Sequence, residues 1–352
     1  MRTIRRRGFS WIALLIGFSM TGCATAPAPS ALPAPSADVM VTPASPPIDV
    51  RSYRERFTWK IESSPRDFAI APNGEFALVS LVNSDPSRFT LLDLGGGTMS
   101  HLDLDLPFHS GSTAHALAIA PDGARFAAGF IGRLVIVNLE DRSIHQAIDY
   151  TYAANQARGS FNDLAYTPGG EQIVGISNDV VWWDAASGEP LGTILGLQGP
   201  RRLSVVKADR VGLVLSDALE IRRRGDKDAL CRFDGRPSAV MVSPDGAEIA
   251  AAFDDGPVRV WRIDGCAPSI EWPAQTHFVP SLIWTPDGKH VITGSADGTI
   301  RIWNSKSGDL VHAFEAHADG TTGVALSSDG RRLMTVGWGD RAVRLWEVEP
   351  GS

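Results

Sequence analysis

Hydrophobic and polar residues alternate along most of this chain in short runs, the pattern of half-buried β-strands. The run Thr299-Ile300-Arg301-Ile302-Trp303 shows the alternation clearly. Around it the pattern predicts four short strands in succession, over 281–285, 290–295, 299–304 and 309–315. Short strands joined by short turns predict an all-β domain.

One turn recurs seven times between these runs, as in Pro286-Asp287-Gly288. Its Pro presets φ at the first corner and its Gly accepts a positive φ at the end of the reversal. The copies begin at residues 72, 121, 168, 208, 244, 286 and 328, and the fourth, Ala208-Asp209-Arg210, has lost both Pro and Gly. Four strands repeated at this spacing predict a seven-bladed β-propeller.

The two ends of the repeat region predict how the ring closes. The seventh repeat stops after its third strand, near Val348, whereas a spare strand-like run over 56–61 precedes the first repeat. An open array would leave sheet edges that invite aggregation. The run 56–61 is therefore predicted to pair beside 342–348, and removal of either end is expected to destabilise the whole domain.

In each of the last three repeats an Asp precedes a Trp at the end of the third strand by six residues. This motif resembles the WD40 repeat family, over residues 51–349. In that family the Asp and Trp join a His before the blade and a Ser or Thr on the second strand in a buried, hydrogen-bonded tetrad. The residues that the resemblance assigns to tetrads are Asp255 and Trp261, Asp297 and Trp303, and the complete set His317, Thr335, Asp340 and Trp346.

The other repeats depart from this pattern. Phe233 and Gln275 stand where the fifth and sixth repeats should carry the His, and repeats one, two and four lack the Trp. The blade boundaries of the first four repeats therefore stay open.

The Asp, His and Thr of the seventh repeat also raise a hydrolase interpretation. A catalytic hydroxyl must face the substrate beside an oxyanion hole, whereas Thr335 is predicted in the middle of a strand. The structural interpretation is favoured, because buried polar groups need partners and this network supplies them.

The N-terminal segment 1–22 predicts export from the cytoplasm. It carries four Arg, then an apolar run from Phe9 to Met20 that is short for a membrane span. The residues before Cys23 resemble the lipobox of bacterial lipoproteins, although Met20 stands where Leu is usual. This resemblance implies cleavage after residue 22, acyl chains such as palmitate on Cys23, and an outer-membrane anchor facing the periplasm. Arg6-Arg7 loosely resembles a twin-arginine signal, so the export route stays open.

Residues 23–50 are rich in Pro, Ala and Ser and have few core-forming side chains. Such a segment does not fold alone, and it extends by up to ~3.1 Å per residue. It is predicted to be a tether after the lipidated Cys23, reaching on the order of 80 Å. A leftover segment with no spacing role is the open alternative.

Charge and composition exclude some classes of partner. Without 1–22 the chain has 29 basic and 40 acidic residues, a net charge of −11. This balance argues against nucleic acid or an anionic membrane surface as the main partner. The basic runs Arg201-Arg202 and Arg222-Arg223-Arg224 are candidates for an acidic partner, although solvated faces are the favoured interpretation.

No cofactor or metal site is predicted. The chain lacks a Gly-rich phosphate loop, a Cys-x-x-Cys pair and a His-Glu-x-x-His motif. His101, His109 and His115 have spacings that match no common metal site. Cys231 and Cys266 are compatible with a disulfide in an oxidising compartment, but the sequence leaves their pairing open.

The predicted topology places the loops that enter each blade on the face opposite the Pro-Asp-Gly turns. WD40 propellers typically bind peptides or proteins there, and aromatic and Arg side chains dominate such interfaces. The large side chains predicted on this face are Phe130, Phe161, Arg201, Arg202, His277, Phe278 and Trp338. Core packing is the favoured interpretation for at least half of them.

Three functions follow as hypotheses. The favoured one is a non-catalytic envelope lipoprotein whose propeller is a protein-protein interaction scaffold. The alternative is a periplasmic propeller enzyme or small-ligand binder that uses the central channel. It requires charged or metal-binding side chains on the first strands, and 116–119 and 324–326 read as apolar. The third is a structural spacer, which only the tether supports.

Overall fold

The computed structural model describes residues 49–82, 88–106, 113–151, 159–197, 199–254, 256–273 and 277–348. All of them lie in one compact unit, Ala44–Ser352. These residues form 28 strands in seven four-stranded antiparallel sheets, with no helix among them. The predicted seven-bladed, all-β propeller is confirmed.

The strands follow one another along the chain in blades. Before the first blade comes β1 (Tyr53–Lys60), and blade 1 contains β2 (Pro65–Ile70), β3 (Phe76–Leu81), β4 (Arg88–Asp93) and β5 (Met99–Asp103). Blade 2 contains β6 (Ala116–Ile119), β7 (Arg125–Phe130), β8 (Arg133–Asn138) and β9 (Ile144–Asp149). Blade 3 contains β10 (Asp163–Tyr166), β11 (Gln172–Ile176), β12 (Val180–Asp184) and β13 (Pro190–Ile194). Blade 4 contains β14 (Arg202–Lys207), β15 (Arg210–Val214), β16 (Ala218–Arg223) and β17 (Cys231–Asp234). Blade 5 contains β18 (Pro237–Val242), β19 (Glu248–Phe253), β20 (Pro257–Arg262) and β21 (Pro268–Pro273). Blade 6 contains β22 (Ser281–Trp284), β23 (His290–Gly294), β24 (Thr299–Asn304) and β25 (Leu310–Glu315). Blade 7 contains β26 (Thr321–Leu326), β27 (Arg332–Gly337) and β28 (Ala342–Val348), with β1 as its outer strand.

The blades surround a central channel. The first strand of each blade contacts the first strands of both neighbouring blades, so β2, β6, β10, β14, β18, β22 and β26 form a closed ring. The hydrophobic core is divided into seven clusters, and each cluster lies between two adjacent blades. Each blade is therefore buried on both faces by its neighbours.

The recurring turns have the geometry that their sequence predicts. The Gly of each intact copy has φ between 68° and 81°, a backbone region in which a side chain is strained. In the sixth copy the Gly288 N–H donates to the Thr285 carbonyl at 2.9 Å. In the decayed fourth copy the strands meet in a tighter hairpin, in which Lys207 pairs directly with Arg210.

The ring closes through its two ends. β1 pairs antiparallel with β28, from Tyr53 opposite Val348 to Lys60 opposite Ala342. The Tyr53 hydroxyl donates to the Gly330 carbonyl at 2.6 Å, and Tyr53 is buried. The predicted closure is confirmed, and the closing strand begins three residues earlier than the predicted run.

A disulfide joins Cys231, at the start of β17, to Cys266, in the turn between β20 and β21. The two Cα atoms lie 5.6 Å apart, within the normal range for a disulfide. The bond ties the outer strand of blade 4 to blade 5 and closes a loop with a sequence separation of 35. Loops of this length contribute about 2–4 kcal/mol when they are cross-linked.

The predicted export signal, Cys23 and all but the last residues of the predicted tether lie outside the described residues. Within the described part of the chain, no helix is long and apolar enough to cross a membrane.

Candidate functional site

The structure brings the four tetrad residues of blade 7 into one hydrogen-bonded chain. His317 Nδ1 lies 3.0 Å from Asp340 Oδ2, and His317 Nε2 lies 2.9 Å from the Thr335 hydroxyl oxygen. The Trp346 indole N–H donates to that same oxygen at 3.0 Å. Since Thr335 Oγ1 accepts from Trp346, its own proton is free to point at His317 Nε2, which leaves Nδ1–H to face Asp340.

Burial and charge fix the protonation of this network. Burial lowers the pKa of His317, so the ring is neutral at pH 7. Burial opposes ionisation of Asp340, but hydrogen bonds from Arg344 and His317 outweigh it and hold the pKa of Asp340 below its usual range. Thr335 is fully buried, so its hydroxyl faces protein on all sides. The geometry matches the structural interpretation, in which each buried polar group has a partner.

Blades 6 and 5 keep only parts of this arrangement. In blade 6 the Trp303 indole N–H donates to the Thr293 hydroxyl at 2.9 Å. Asp297 Oδ2 lies 3.8 Å from His277 Nδ1. Hydrogen bonds from Thr299 and Arg301 to the Asp297 carboxylate outweigh the effect of burial and lower the pKa of Asp297 to about 2.

Gln275, which the sequence places at the His position of blade 6, and Asp255 of blade 5 lie outside the described residues. In blade 5 Trp261 stacks on Phe233 with ring centroids 4.3 Å apart. Ala251 stands at the second-strand position that carries Thr335 in blade 7, so no hydroxyl is available there. Aromatic packing takes over the role of the hydrogen bonds in this blade.

Trp338 stands directly above the tetrad of blade 7. It lies in the loop between β27 and β28 and is 64% exposed. A Cβ on Gly337 would come within 2.3 Å of His317 Nδ1, and one on Gly339 would come within 2.3 Å of the Asp319 Cβ. The two flanking glycines thus let the loop backbone pack tightly on the tetrad, which presents the indole on a rigid base.

Phe278 belongs to the same surface. It is 49% exposed in the segment that enters blade 6, and its carbonyl accepts from the Ala296 N–H at 2.9 Å. Ala296 in turn packs against Gly320, because a Cβ on Gly320 would lie 3.1 Å from the Ala296 carbonyl oxygen. Gly320 accepts from the Trp338 N–H at 3.2 Å. We call this connected surface, formed by Phe278, Ala296, Gly320 and Trp338, the aromatic platform.

Two of the aromatic residues predicted on this face are buried, and the prediction is wrong for both. Phe130 ends β7 and is fully buried in the cluster between blades 1 and 2. Phe161 is 1% exposed and meets Trp183 edge-on at 5.9 Å. Gly129 makes room for it, since a Cβ there would lie 2.7 Å from the Phe161 Cβ. Large apolar side chains next to strand ends turned inward because the inter-blade core had space for them.

The basic clusters behave differently from one another. Arg222 donates to buried Glu220 at 2.5 Å, Arg223 lies 3.5 Å from Asp209, and Arg224 donates to the Gln172 side chain at 3.1 Å. This second cluster is therefore engaged within the protein, whereas Arg201 and Arg202 are exposed.

The three histidines considered as a metal cluster do not come together in the described structure. His101 lies on β5, the outer strand of blade 1, and His109 lies outside the described residues. His115 Nδ1 accepts from the Ser160 hydroxyl at 2.5 Å and from Arg66 at 3.0 Å, and burial lowers its pKa. No group of three or more His, Cys, Asp or Glu side chains suited to a metal occurs in the ranges that the structure describes.

The channel contains charged groups that the sequence reasoning missed. Asp67 on β2 accepts from the Leu117 N–H of blade 2 at 2.6 Å, and Asp163 on β10 accepts from the Leu203 N–H of blade 4 at 2.9 Å. These N–H groups belong to the first strands, which are sheet edges and have no strand partner on the channel side. The first strands β2 and β10 thus carry an acidic side chain, whereas the two first strands considered in the sequence, 116–119 and 324–326, are apolar as read.

A sequence signal for these residues existed. Asp67 and Asp163 each stand five residues before the Pro of their turn, and Ser281 occupies the same place in blade 6. Ser281 plays the same part, since its hydroxyl accepts from the Val324 N–H of blade 7 at 3.2 Å. In blades 2 and 7 the same position, five residues before the turn, is occupied by Ala116 and Gly323. A polar residue at this position therefore indicates a side chain that bonds to the next blade.

Asp67 gives the fold a pH dependence. Burial raises its pKa to about 7, and Asp163 adds to this shift. Because the folded-state pKa lies above the unfolded value of about 3.9, stability falls as pH rises between these two values. We expect Asp67→Asn to keep the hydrogen bond from Leu117 and to stabilise the protein by about 1–3 kcal/mol at pH 8, allowing for solvent in the channel, with little effect at pH 4.

Urea unfolding of the variant and of the wild type at both pH values measures this effect. Asp264→Asn, at an exposed position, is the control and should change stability little at either pH. An Asp67→Asn variant that is no more stable than the wild type at pH 8 would show that the buried charge carries no penalty.

A comparison with protein families supports the repeat assignment. Residues 243–339 match a family model described as the anaphase-promoting complex subunit 4 WD40 domain. The matched segment runs from the turn of blade 5 through blade 6 and β27 to the Trp338 loop. No curated protein matches the chain.

Proposed function

We propose that this chain, whose seven blades and matched segment support a place among the WD40 β-propellers, is a non-catalytic protein-interaction scaffold of the bacterial envelope. A ring of blades commonly serves as such a scaffold, because it offers a rigid surface assembled from many loops. The aromatic platform is the observation that carries the proposal.

The platform has the features of a protein-binding hot spot. Among the large hydrophobic side chains that are exposed in the described part of the chain, two are aromatic, Trp338 and Phe278. Backbone hydrogen bonds join Phe278 to Ala296 and Trp338 to Gly320, and the Thr321 N–H donates to the Ser295 carbonyl at 2.9 Å between the two segments. The loops are therefore fixed, and little conformational entropy is lost when a partner covers them. Buried aromatic anchors on rigid supports dominate interface energetics.

The blade 7 tetrad supports the non-catalytic part of the proposal. Its Asp, His and hydroxyl are arranged in hydrolase order, yet the Thr335 hydroxyl is fully buried and already accepts from Trp346. A substrate carbonyl would have no access to that oxygen. The network instead supports the loop that carries Trp338.

The envelope location rests on the sequence of 1–50. The lipobox-like residues before Cys23 support a lipid anchor on the outer membrane facing the periplasm. The Cys231–Cys266 disulfide is compatible with an oxidising compartment of this kind. The Pro-rich segment that follows Cys23 would hold the platform away from the membrane.

The proposal is tested by crosslinking in intact cells followed by affinity purification of the wild type and of a Phe278→Ala, Trp338→Ala variant. We expect recovery of the specific partner to fall at least about tenfold in the variant, because each anchor contributes about 2 kcal/mol or more at a hot spot.

The matched control is Leu191→Ala, Leu310→Ala, which removes exposed apolar side chains from outer strands of blades 3 and 6. This control should recover the partner as the wild type does. Equal recovery by all three proteins, each with an unchanged unfolding transition, would overturn the platform and favour a spacer.

A further inference from the structure

The channel contains a cavity, open to solvent, that the aromatic platform does not explain. It has a volume of about 170 Å³ and is walled by first strands of blades 1, 3, 4, 5, 6 and 7. Its charged side chains are Asp67, Asp163 and Arg202. Leu282 and Val324, both largely buried, supply apolar wall.

The two carboxylates lack a cationic partner in contact with them. Within the described ranges no Lys, Arg or His nitrogen lies within 4.0 Å of Asp67 or Asp163. Arg202 acts on both carboxylates electrostatically from a longer distance. When both Asp side chains are ionised, the cavity therefore has one more negative charge than positive charge.

Capping of strand edges does not account for this charge. Blade 6 caps the edge of blade 7 with the neutral hydroxyl of Ser281, and blades 2 and 7 have Ala116 and Gly323 at the same repeat position. A neutral side chain is thus sufficient for the cap. Two carboxylates that share one cavity repel each other, a cost that a bound cation would remove.

The size and lining of the cavity select the cation. A divalent metal prefers six or more oxygen ligands, and only two carboxylates are present here. A primary ammonium group has three N–H donors, which the four oxygens of two carboxylates can accept. The apolar wall fits an unbranched alkyl chain, and Arg202 disfavours a second positive charge nearby.

We propose that the central channel is a binding site for a slim alkylammonium group, held between Asp67 and Asp163 with its alkyl chain against Leu282 and Val324. The group comes either from a free small amine or from a lysine side chain of a bound protein. This site is separate from the aromatic platform and does not depend on it.

The test is isothermal titration calorimetry of the full-length chain in detergent at pH 8, with n-butylammonium as the probe and n-butanol as the neutral analogue. Saturable binding of n-butylammonium, at least about tenfold tighter than that of n-butanol, is expected. Asp67→Asn and Asp163→Asn should each weaken binding at least about tenfold, since each removes one charge and keeps the cap. Ser281→Ala is the matched control and should leave binding within about threefold.

A second titration uses N-acetyl-glycyl-lysyl-glycinamide and distinguishes the two sources. Binding comparable to that of n-butylammonium assigns the site to a lysine side chain, whereas binding of n-butylammonium alone assigns it to a free amine. The proposal is overturned if neither amine binds saturably, or if Asp67→Asn and Asp163→Asn bind as the wild type does while their unfolding transitions are intact.

Discussion

A chain that begins at Glu62 is expected to lose its cooperative unfolding transition and to aggregate, whereas one that begins at Asp49 should unfold as the full-length protein does. The shorter chain lacks β1, which supplies the outer strand of blade 7. It also loses the buried side chains Val50, Tyr53, Trp59 and Ile61. Each of these contributes about 1.5–3 kcal/mol, and together they approach the whole stability of a typical domain, about 5–15 kcal/mol.

Loss of β1 also exposes a sheet edge. β28 would present unpaired N–H and C=O groups along the register that now joins it to β1, and such edges pair with other chains. Size-exclusion chromatography and thermal unfolding followed by circular dichroism measure both effects. A monomeric Glu62 chain with the unfolding temperature of the Asp49 chain would contradict the closure described here.

Thr335→Val is expected to destabilise the protein by about 2–4 kcal/mol, although it changes the side-chain volume little. The hydroxyl accepts from the Trp346 indole and faces His317 Nε2, and the site is fully buried. The variant leaves both partners buried without a hydrogen bond, and the neutral ring of His317 also loses the contact that orients it toward Asp340.

Thr293→Val in blade 6 is the internal comparison. Thr293 accepts from the Trp303 indole and donates to the Arg301 carbonyl at 3.4 Å. The His277 side chain of this blade is 60% exposed, so water can solvate it, whereas the His317 side chain is fully buried. The expected loss is therefore smaller, about 1–2 kcal/mol. Chemical unfolding of both variants at pH 7 measures the difference, and equal losses in the two blades would show that the complete tetrad has no special role.

The overall fold was predictable because the same pattern of strands and turns recurs seven times in the sequence. The Pro and Gly of the turn appear together in five of seven copies, and Ser328-Asp329-Gly330 keeps the Gly, so errors in one copy do not hide the period. Alternation in β24 was enough to predict all four strands of blade 6 to within one residue at each end. The closure was predictable from the number of strands. One strand-like run precedes the first repeat and the seventh repeat lacks its fourth strand, so the run was expected to complete the seventh blade.

Side-chain placement was less predictable, because it depends on inter-blade packing. Phe130 and Phe161 sit beside strand ends, where sequence alone cannot tell whether a ring faces solvent or the neighbouring blade. The space for Phe161 comes from Gly129, a residue in a different blade. Such complementarity between distant residues leaves no local pattern.

The charged groups of the channel were missed for another reason. Asp163 begins a strand that is otherwise apolar, and Asp67 follows Arg66 in a strand that ends in three apolar residues. In sequence, each acid is indistinguishable from a residue on the solvent-exposed face of a strand. Only alignment of the repeats on their turns shows that both acids share a position with Ser281. In repeat proteins a functional position is therefore better sought by comparing copies than by reading each strand alone.

Position-resolved photocrosslinking tests the central claim, a scaffold that docks its partner on the aromatic platform. Benzoylphenylalanine would be placed in living cells at Phe278, Trp338, Leu191 or Leu310, all of which are exposed in the structure. The account predicts a crosslink to the same protein from Phe278 and Trp338, and none to it from the two outer-strand positions. Crosslinks to that protein only from Leu191 or Leu310, or no crosslinks from any position, would contradict it.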